Sequence, residues 1–517
     1  RRFAARLHFT RFRHFIQLYC FFQVSLHICT PSTLNRLFYM TKIFATIIPA
    51  LACQLLGLQL QAQSTALTAQ LQQGYNRFAA SDNMQFALVG FTVTDADGKT
   101  VFSNLGNAGL APASCQKIVT AAAAFDQLGS SFRYSTNVSL SGTANGNMWK
   151  GDLLVQGSGD PTLASWRYKS VPDTAFFFQT LQALRQKGIQ RISGHIIGSN
   201  MQFSTQPIPG GWIYDDIGNY YGAGSWALNY HENQFDASFN ASGNVGDRLP
   251  LKRTTPASGY DEIDSYVTLG QPGTGDNSII YASPYSPKAY ISGTLGKTNQ
   301  TFTISGAISD GETALLQALA DYLQRNGIQI DGDVRPARLY AAKQWKIPAA
   351  TQSLTSFQSV GLDSVAYWFL QKSINLYGEA LLKTLAVNAS KPGDTDTGAE
   401  WIRNFWAGKG IDRNALRVKD GSGLSPQNRV TANSLVAVLQ YAKKQPWFAA
   451  YYEGFPLIHN IKMKSGTIGG AKGYTGYISD KNGKEYCFAL LVNNYSGNAN
   501  TVVQQMWQLL DVITQFK

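Results

Sequence analysis

From about residue 131 to 348 the chain is dominated by β-branched alternations such as Thr136–Leu140 and Thr301–Ile304, with turns rich in Gly, Ser, Thr and Pro. The segments on either side read instead as a few strands and several apolar-periodic helices. Before it come a helix-like stretch at Ser64–Phe78, then Gln85–Thr94 and Lys99–Ser103 around Asp95-Ala96-Asp97-Gly98, whose Asp-Gly pair signals a hairpin. Ser114–Leu128 follows as an Ala-rich helix ended by Gly129. After it come helical patterns at Val360–Leu385, Gly398–Gly408 and Thr431–Lys444, strands at Tyr474–Ser479 and Glu485–Asn493 around Asn482-Gly483, and an amphipathic helix at Thr501–Phe516. This order implies an α+β protein: an antiparallel sheet flanked by helices and interrupted by a β-rich insertion. The outer domain is expected at 63–130 and 349–517, and the inserted domain at 131–204 and 285–348. A nested, aromatic- and glycine-rich subdomain is expected at 205–284. A length of 517 residues fits several such units.

The formal charge of +12 resembles a nucleic-acid signal. Seven of the 44 Lys/Arg fall in residues 1–62, which hold no acidic residue, so the remainder carries only +5 against 32 Asp/Glu. No compact basic run accompanies that excess, and nucleic acid is not an expected partner. From Met40 the chain reads Met-Thr-Lys, an apolar stretch over Ile43–Leu58, then Leu60-Gln61-Ala62, the three-part layout of a secretory signal (40–62) cleaved after Ala62. That stretch is short for a membrane span, and no later segment is longer, so no permanent span is expected. Ala50-Leu51-Ala52-Cys53 leaves a lipoprotein, and with it membrane association, open. Residues 1–39, with six Arg and no starting Met, read as upstream translation. Only Cys115 and Cys487 follow Ala62, so no disulfide framework is implied.

Three motifs carry chemistry. Ser114-Cys115-Gln116-Lys117 sets a hydroxyl and an amine three residues apart, on one face of a helix, where a neutral lysine can take the serine proton. Such a pair arises by chance about once or twice in a chain of this size. Ser373-Ile374-Asn375 adds a hydroxyl and an amide, but Ser135-Thr136-Asn137, Ser242-Gly243-Asn244 and Ser496-Gly497-Asn498 match the same pattern. Lys464-Ser465-Gly466-Thr467 is rarer: it offers a cation and a hydroxyl to a carboxylate, with a glycine that admits close backbone approach. In this order, with strands before the first and after the last, the three become specific. His195, His231 and His459 lack paired-ligand spacing, and no Gly-x-Ser-x-Gly elbow occurs, so neither a metal site nor an α/β-hydrolase is expected.

On these motifs the sequence resembles the serine D-alanyl-D-alanine carboxypeptidases and endopeptidases among class C, low-molecular-mass penicillin-binding proteins, from about Ala66 onwards. Gly151-Asp152-Leu153, Gly157–Leu163, the aromatic Trp212–Tyr221 segment and Asp420–Ser425 add to the likeness. So does the gap of 259 residues from Ser114 to Ser373, which separates it from the more compact β-lactamases. The resemblance implies the penicillin-binding, serine β-lactamase-like fold, a periplasmic enzyme without cofactor or metal, peptidoglycan stem peptides as substrate, and β-lactams as covalent inhibitors. It implies Ser114 as nucleophile, Lys117 as base, Ser373 as proton relay, and Asn375 as a hold on the peptide backbone. Lys464 and Ser465 would bind the terminal carboxylate, and Gly466 and Thr467 would contact the substrate beside them. Backbone N–H groups of Ser114 and Thr467 would form the oxyanion hole. Asp216 and Tyr221 would receive the side chain of the third peptide residue. Two positions depart from the family: Ser465 stands for the usual Thr, and Pro426 for a basic residue. A β-lactamase, or a silent wall-binding homologue, is the alternative; no dedicated deacylating group favours the first, and the intact motifs oppose the second.

Overall fold

The first hairpin forms as its turn residues dictate. Gly98 takes φ 86°, its N–H donates to the Asp95 carbonyl, and the Asp95 carboxylate accepts from the Lys99 N–H at 2.9 Å. The flanking strands are Leu88–Thr94 (β1) and Thr100–Asn104 (β2). The structure, a computed structural model, describes residues 65–199 and 202–517. The expected signal at 40–62, Cys53 and the stretch 1–39 lie outside the described residues.

Four more strands complete this sheet: Leu457–Ile458 (β3), Ile461–Ile468 (β4), Ala471–Ser479 (β5) and Glu485–Asn493 (β6). Their order is β2-β1-β6-β5-β4-β3, and every pairing is antiparallel. Tyr474 and Tyr477, of opposite parity on β5, show that both faces are covered. Tyr474 meets Trp507 of the C-terminal helix Ala499–Thr514, while the Tyr477 hydroxyl donates to the Leu439 carbonyl.

On that second side lie the helices Lys117–Leu128 (α1), Leu362–Gln371 (α2), Asn375–Asn388 (α3), Thr395–Gly408 (α4) and Ala432–Lys443 (α5). α1 is enclosed on all sides over residues 117–125. Four consecutive alanines, Ala121–Ala124, let its neighbours approach closely, and larger side chains there would overpack the core. Gly129, at φ 80°, ends it.

Two helical expectations are corrected. The run expected across Val360–Leu385 is two helices, because Ser373 takes the left-handed φ 58° between them. The helix expected from Ser114 begins as a 3-10 turn, Ala113–Gln116, and becomes α-helical only at Lys117.

The segment between these halves is mixed. Its sheet runs Val334–Arg335, Ile196–Gly198, Leu153–Gly157 and Ser135–Leu140, and takes a fifth strand, Gln352–Gln358, from beyond residue 348, with parallel as well as antiparallel pairs. Helices Ala175–Gln186 and Gly311–Arg325 bury Leu181, Leu184, Leu315, Leu316 and Leu319 in the same core. Two three-stranded sheets drawn from residues 234–307 enclose a separate small core around Phe239, Val267, Ile291 and Leu295.

Candidate active site

The turn that carries Ser114 is held in an uncommon shape. Ala113, just before Ser114, sits at φ 47°. In the 3-10 geometry of Ala113–Gln116, side chains three apart eclipse one another, and Lys117 Nζ accordingly lies 2.9 Å from Ser114 Oγ. Two glycines bring other strands of chain against this turn. A Cβ on Gly423 would lie 2.0 Å from the Ala113 carbonyl oxygen. One on Gly466 would lie 2.5 Å from the Pro112 oxygen and 3.0 Å from the Ser114 nitrogen. Only glycine permits either approach.

Lys117 is fully buried. Besides Ser114 it meets Asn375 Oδ1 at 2.6 Å and the Ser422 carbonyl at 2.8 Å. Burial holds its amine well below the usual lysine range; the charge of Lys464 pushes the same way, against Asp420 and Glu379. A neutral amine has two N–H donors and one lone pair. Donating to the two carbonyl oxygens aims the lone pair at Ser114, the arrangement a base needs. Lys464 is buried as well, its value lowered to about 8 by desolvation, and its Nζ donates to the Ser465 carbonyl at 2.8 Å.

Beneath these groups sits the Asp420–Ser425 loop. The Asp420 carboxylate accepts from the N–H of Gly423 and of Ser425, both at 2.6 Å, and from Trp212 Nε1 at 2.9 Å. Glu379 accepts from the Gly421 N–H, and burial, reinforced by Asp420, raises its carboxyl to about 8.

A cleft of about 630 Å³ opens over this arrangement. Ser114, Ser373, Asn375 and Thr467 line it, together with Asp216 and Tyr221 from the inserted segment. Asp216 and Tyr221 hydrogen-bond to each other; burial raises both groups, Tyr221 to about 12. The Asn375 Nδ2 donates to the Tyr221 carbonyl at 2.8 Å, tying the overhanging segment to α3. Lys464, Ser465 and Gly466 are not in the cleft wall: Lys464 and Gly466 are turned inward and buried, and Ser465 is half-buried. Pro426, where a basic residue was expected, does line the cleft.

Sequence reasoning did not single out Glu379, Arg167 or Glu232. Glu232 is fully buried and accepts from Arg167 Nε at 2.8 Å, while Arg167 reaches the cleft wall. Sixty-five residues separate the two, and no local spacing joins them. The tripeptide His231-Glu232-Asn233 takes φ 52° at each position, which costs on the order of 1–2 kcal/mol per residue. Asp420 did belong to a quoted motif, but its role as hub of the loop needed the fold.

The chain matches the D-Ala-D-Ala carboxypeptidase 3 (S13) family over residues 71–513. It is 25% identical to the D-alanyl-D-alanine carboxypeptidase of Actinomadura sp. strain R39, covering 88% of this chain and 87% of that one. It is 24% identical to the D-alanyl-D-alanine carboxypeptidase DacB of Haemophilus influenzae, covering 79% and 86%. The crystal structure of penicillin binding protein 4 (dacB) from Haemophilus influenzae superposes with a TM-score of 0.72 at 21% identity, over 87% of this chain and 99% of that one. The α+β, penicillin-binding fold read from the sequence is therefore the fold of this chain, which is a serine-type D-alanyl-D-alanine carboxypeptidase and belongs to the D-Ala-D-Ala carboxypeptidase 3 (S13) family.

Proposed function

We propose that Ser114 attacks the carbonyl carbon of the penultimate D-alanine of a peptidoglycan stem peptide, Lys117 accepting its proton. The observation that carries this reading is the 2.9 Å approach of a buried lysine to that hydroxyl. The C–N bond breaks to an acyl-enzyme, Ser373 passes a proton to the leaving D-alanine amine, and water then releases the shortened peptide. Thr467 and Ser114 supply N–H groups to the oxyanion, which the close passage of Gly466 over the Ser114 nitrogen supports. Lys464 and Ser465 take the terminal carboxylate, Lys464 from beneath the cleft. Both ends of the Asn375 amide are engaged in the free enzyme, so a peptide backbone reaches it by sharing a partner, which a second lone pair and a second N–H allow.

A β-lactam carbonyl mimics the scissile amide while its leaving group stays tethered, and the similar Haemophilus influenzae protein has been solved complexed with a β-lactam. Incubation with penicillin and peptide mapping should find the adduct on Ser114. An adduct on Cys115, or none on folded protein, refutes the assignment.

The mature protein in this reading starts near Gln63 and works in the periplasm, which N-terminal sequencing of native material tests: a lipid on Cys53 or retention of 1–39 overturns it. Among the described residues no helix is long and apolar enough to cross a membrane. The division into a catalytic domain (63–130 and 349–517), an inserted domain and a nested one is part of the same proposal.

A further inference from the structure

The reaction as described leaves the buried Glu232 without a task. Its backbone and those of His231 and Asn233 all lie in the left-handed region, which side-chain-bearing residues hold in succession only where surrounding contacts impose it. Those contacts converge on the carboxylate. Oε1 accepts from Ser165 Oγ at 2.7 Å and from the Tyr377 hydroxyl at 2.8 Å, and both oxygens accept from Arg167 Nε, at 2.8 and 2.9 Å. Tyr377 is two residues beyond Asn375 on α3, so the network is fixed to the helix that carries the catalytic amide.

This network meets the cleft at Arg167 and at Gln234, whose Nε2 donates to Glu232 Oε2 at 3.5 Å, and Arg167 alone brings a charge there. Its guanidinium also packs on Trp166 and Trp368, 5.1 and 6.0 Å from their ring centroids, and its side chain is 20% exposed. The bond to Glu232 uses Nε alone, one of five N–H donors; the four on the two Nη atoms lie outside it. Glu232 and the indole faces thus fix the plane of a fork suited to an oxyanion. Lys372 and Gln234 line the same cleft, adding a cation and an amide.

We infer that Arg167, positioned by Glu232, recognises a second carboxylate of the bound peptide, distinct from the terminal one assigned to Lys464. This rests on the acyl-enzyme reading above. In a stem peptide that chemistry has two sources: the α-carboxylate of a γ-linked glutamate, or the free carboxylate of a diamino acid at the third position.

The test measures kcat/KM for a peptide with both carboxylates free and for two analogues, each amidated at one of them. Labelling of the wild-type enzyme by fluorescent penicillin comes first: no label sinks the acyl-enzyme reading itself. With label present, wild type should lose about ten- to a hundredfold on one analogue, the range of a charge-assisted pair, and the analogue affected names the source. Arg167→Gln should shrink that preference to about twofold, mainly through KM. Arg167→Lys, which keeps charge and much of the packing, guards against misfolding and should fall between. Glu232→Gln should weaken the same preference while the unaffected analogue follows the parent peptide. A wild-type enzyme indifferent to both amidations, or Arg167 variants that label with penicillin and keep the full preference, overturns the proposal.

Discussion

Replacing Lys117 by methionine should cripple acylation without unfolding the protein. Burial lowers the Lys117 amine and so disfavours its charged form in the fold; methionine has similar length and carries no such penalty. What is lost is the pair of N–H bonds to Asn375 Oδ1 and the Ser422 carbonyl, each orphaned acceptor costing about 1–3 kcal/mol. Losing the burial penalty offsets part of the about 2–6 kcal/mol that the two orphaned acceptors cost, so the variant should lose less than that. Without the base, acylation should fall by about 10²- to 10⁴-fold. The sign of the pH dependence is fixed too. Between the lowered native value of Lys117 and 10.5, the unfolded chain binds a proton that the native state does not. Wild-type stability therefore gains from this group as pH rises, and any advantage of Lys117→Met narrows. Stopped-flow acylation by a fluorescent penicillin, with denaturant unfolding at two pH values, checks all three. Acylation within tenfold of wild type would show that Lys117 is not the base, and a stability loss beyond about 6 kcal/mol would show that it stands in the fold as a paired cation.

Lys464 predicts an alkaline limb. Its buried ammonium loses its proton as pH rises through about 8, so kcat/KM for a substrate with a terminal carboxylate should fall there. Glu379 titrates in the same range, and Glu379→Gln should leave the limb in place; a limb that vanishes with it assigns the titration to the wrong group. Asp216→Asn should slow a peptide bearing a free side-chain ammonium by about tenfold while sparing its acetylated analogue. Equal losses on both, measured as kcat/KM, would leave the Asp216–Tyr221 pair as packing alone.

What the sequence disclosed was whatever depends on short spacing. Ser114 and Lys117 meet because they are three apart in a turn, and Asp97-Gly98 and Asn482-Gly483 mark hairpins because few residues accept a positive φ. The break at Ser373 escaped because Val360–Leu385 keeps its apolar period across it. A left-handed serine has no compositional signature when the contacts that impose it lie elsewhere in the chain. The same holds for Arg167 and Glu232, and for the parallel pairings of the inserted sheet, such as Leu153 with Ile196. These are set by tertiary partners that neighbours in sequence do not reveal.

One helix face explains why the site survives so large an insertion. On α3, Asn375, Glu379 and Lys383 recur every four residues and so share a side. Asn375 bonds Lys117 Nζ and the Tyr221 carbonyl, Glu379 takes the Gly421 N–H, and Lys383 donates to the Ser225 carbonyl at 2.8 Å. The first and third of these grip the overhanging segment on either side of Gly222, and the second grips the loop whose Ser422 carbonyl accepts from Lys117. Asp216 and Tyr221 are thereby held in register with Ser114 from a part of the chain about a hundred residues away. A burial that lowers Lys117 and Lys383 alike and raises Glu379 is the expected consequence of closing that seam to water. The lowered value of Lys117 that its proposed role as base requires thus follows from the same packing that holds Asp216 and Tyr221 over the cleft.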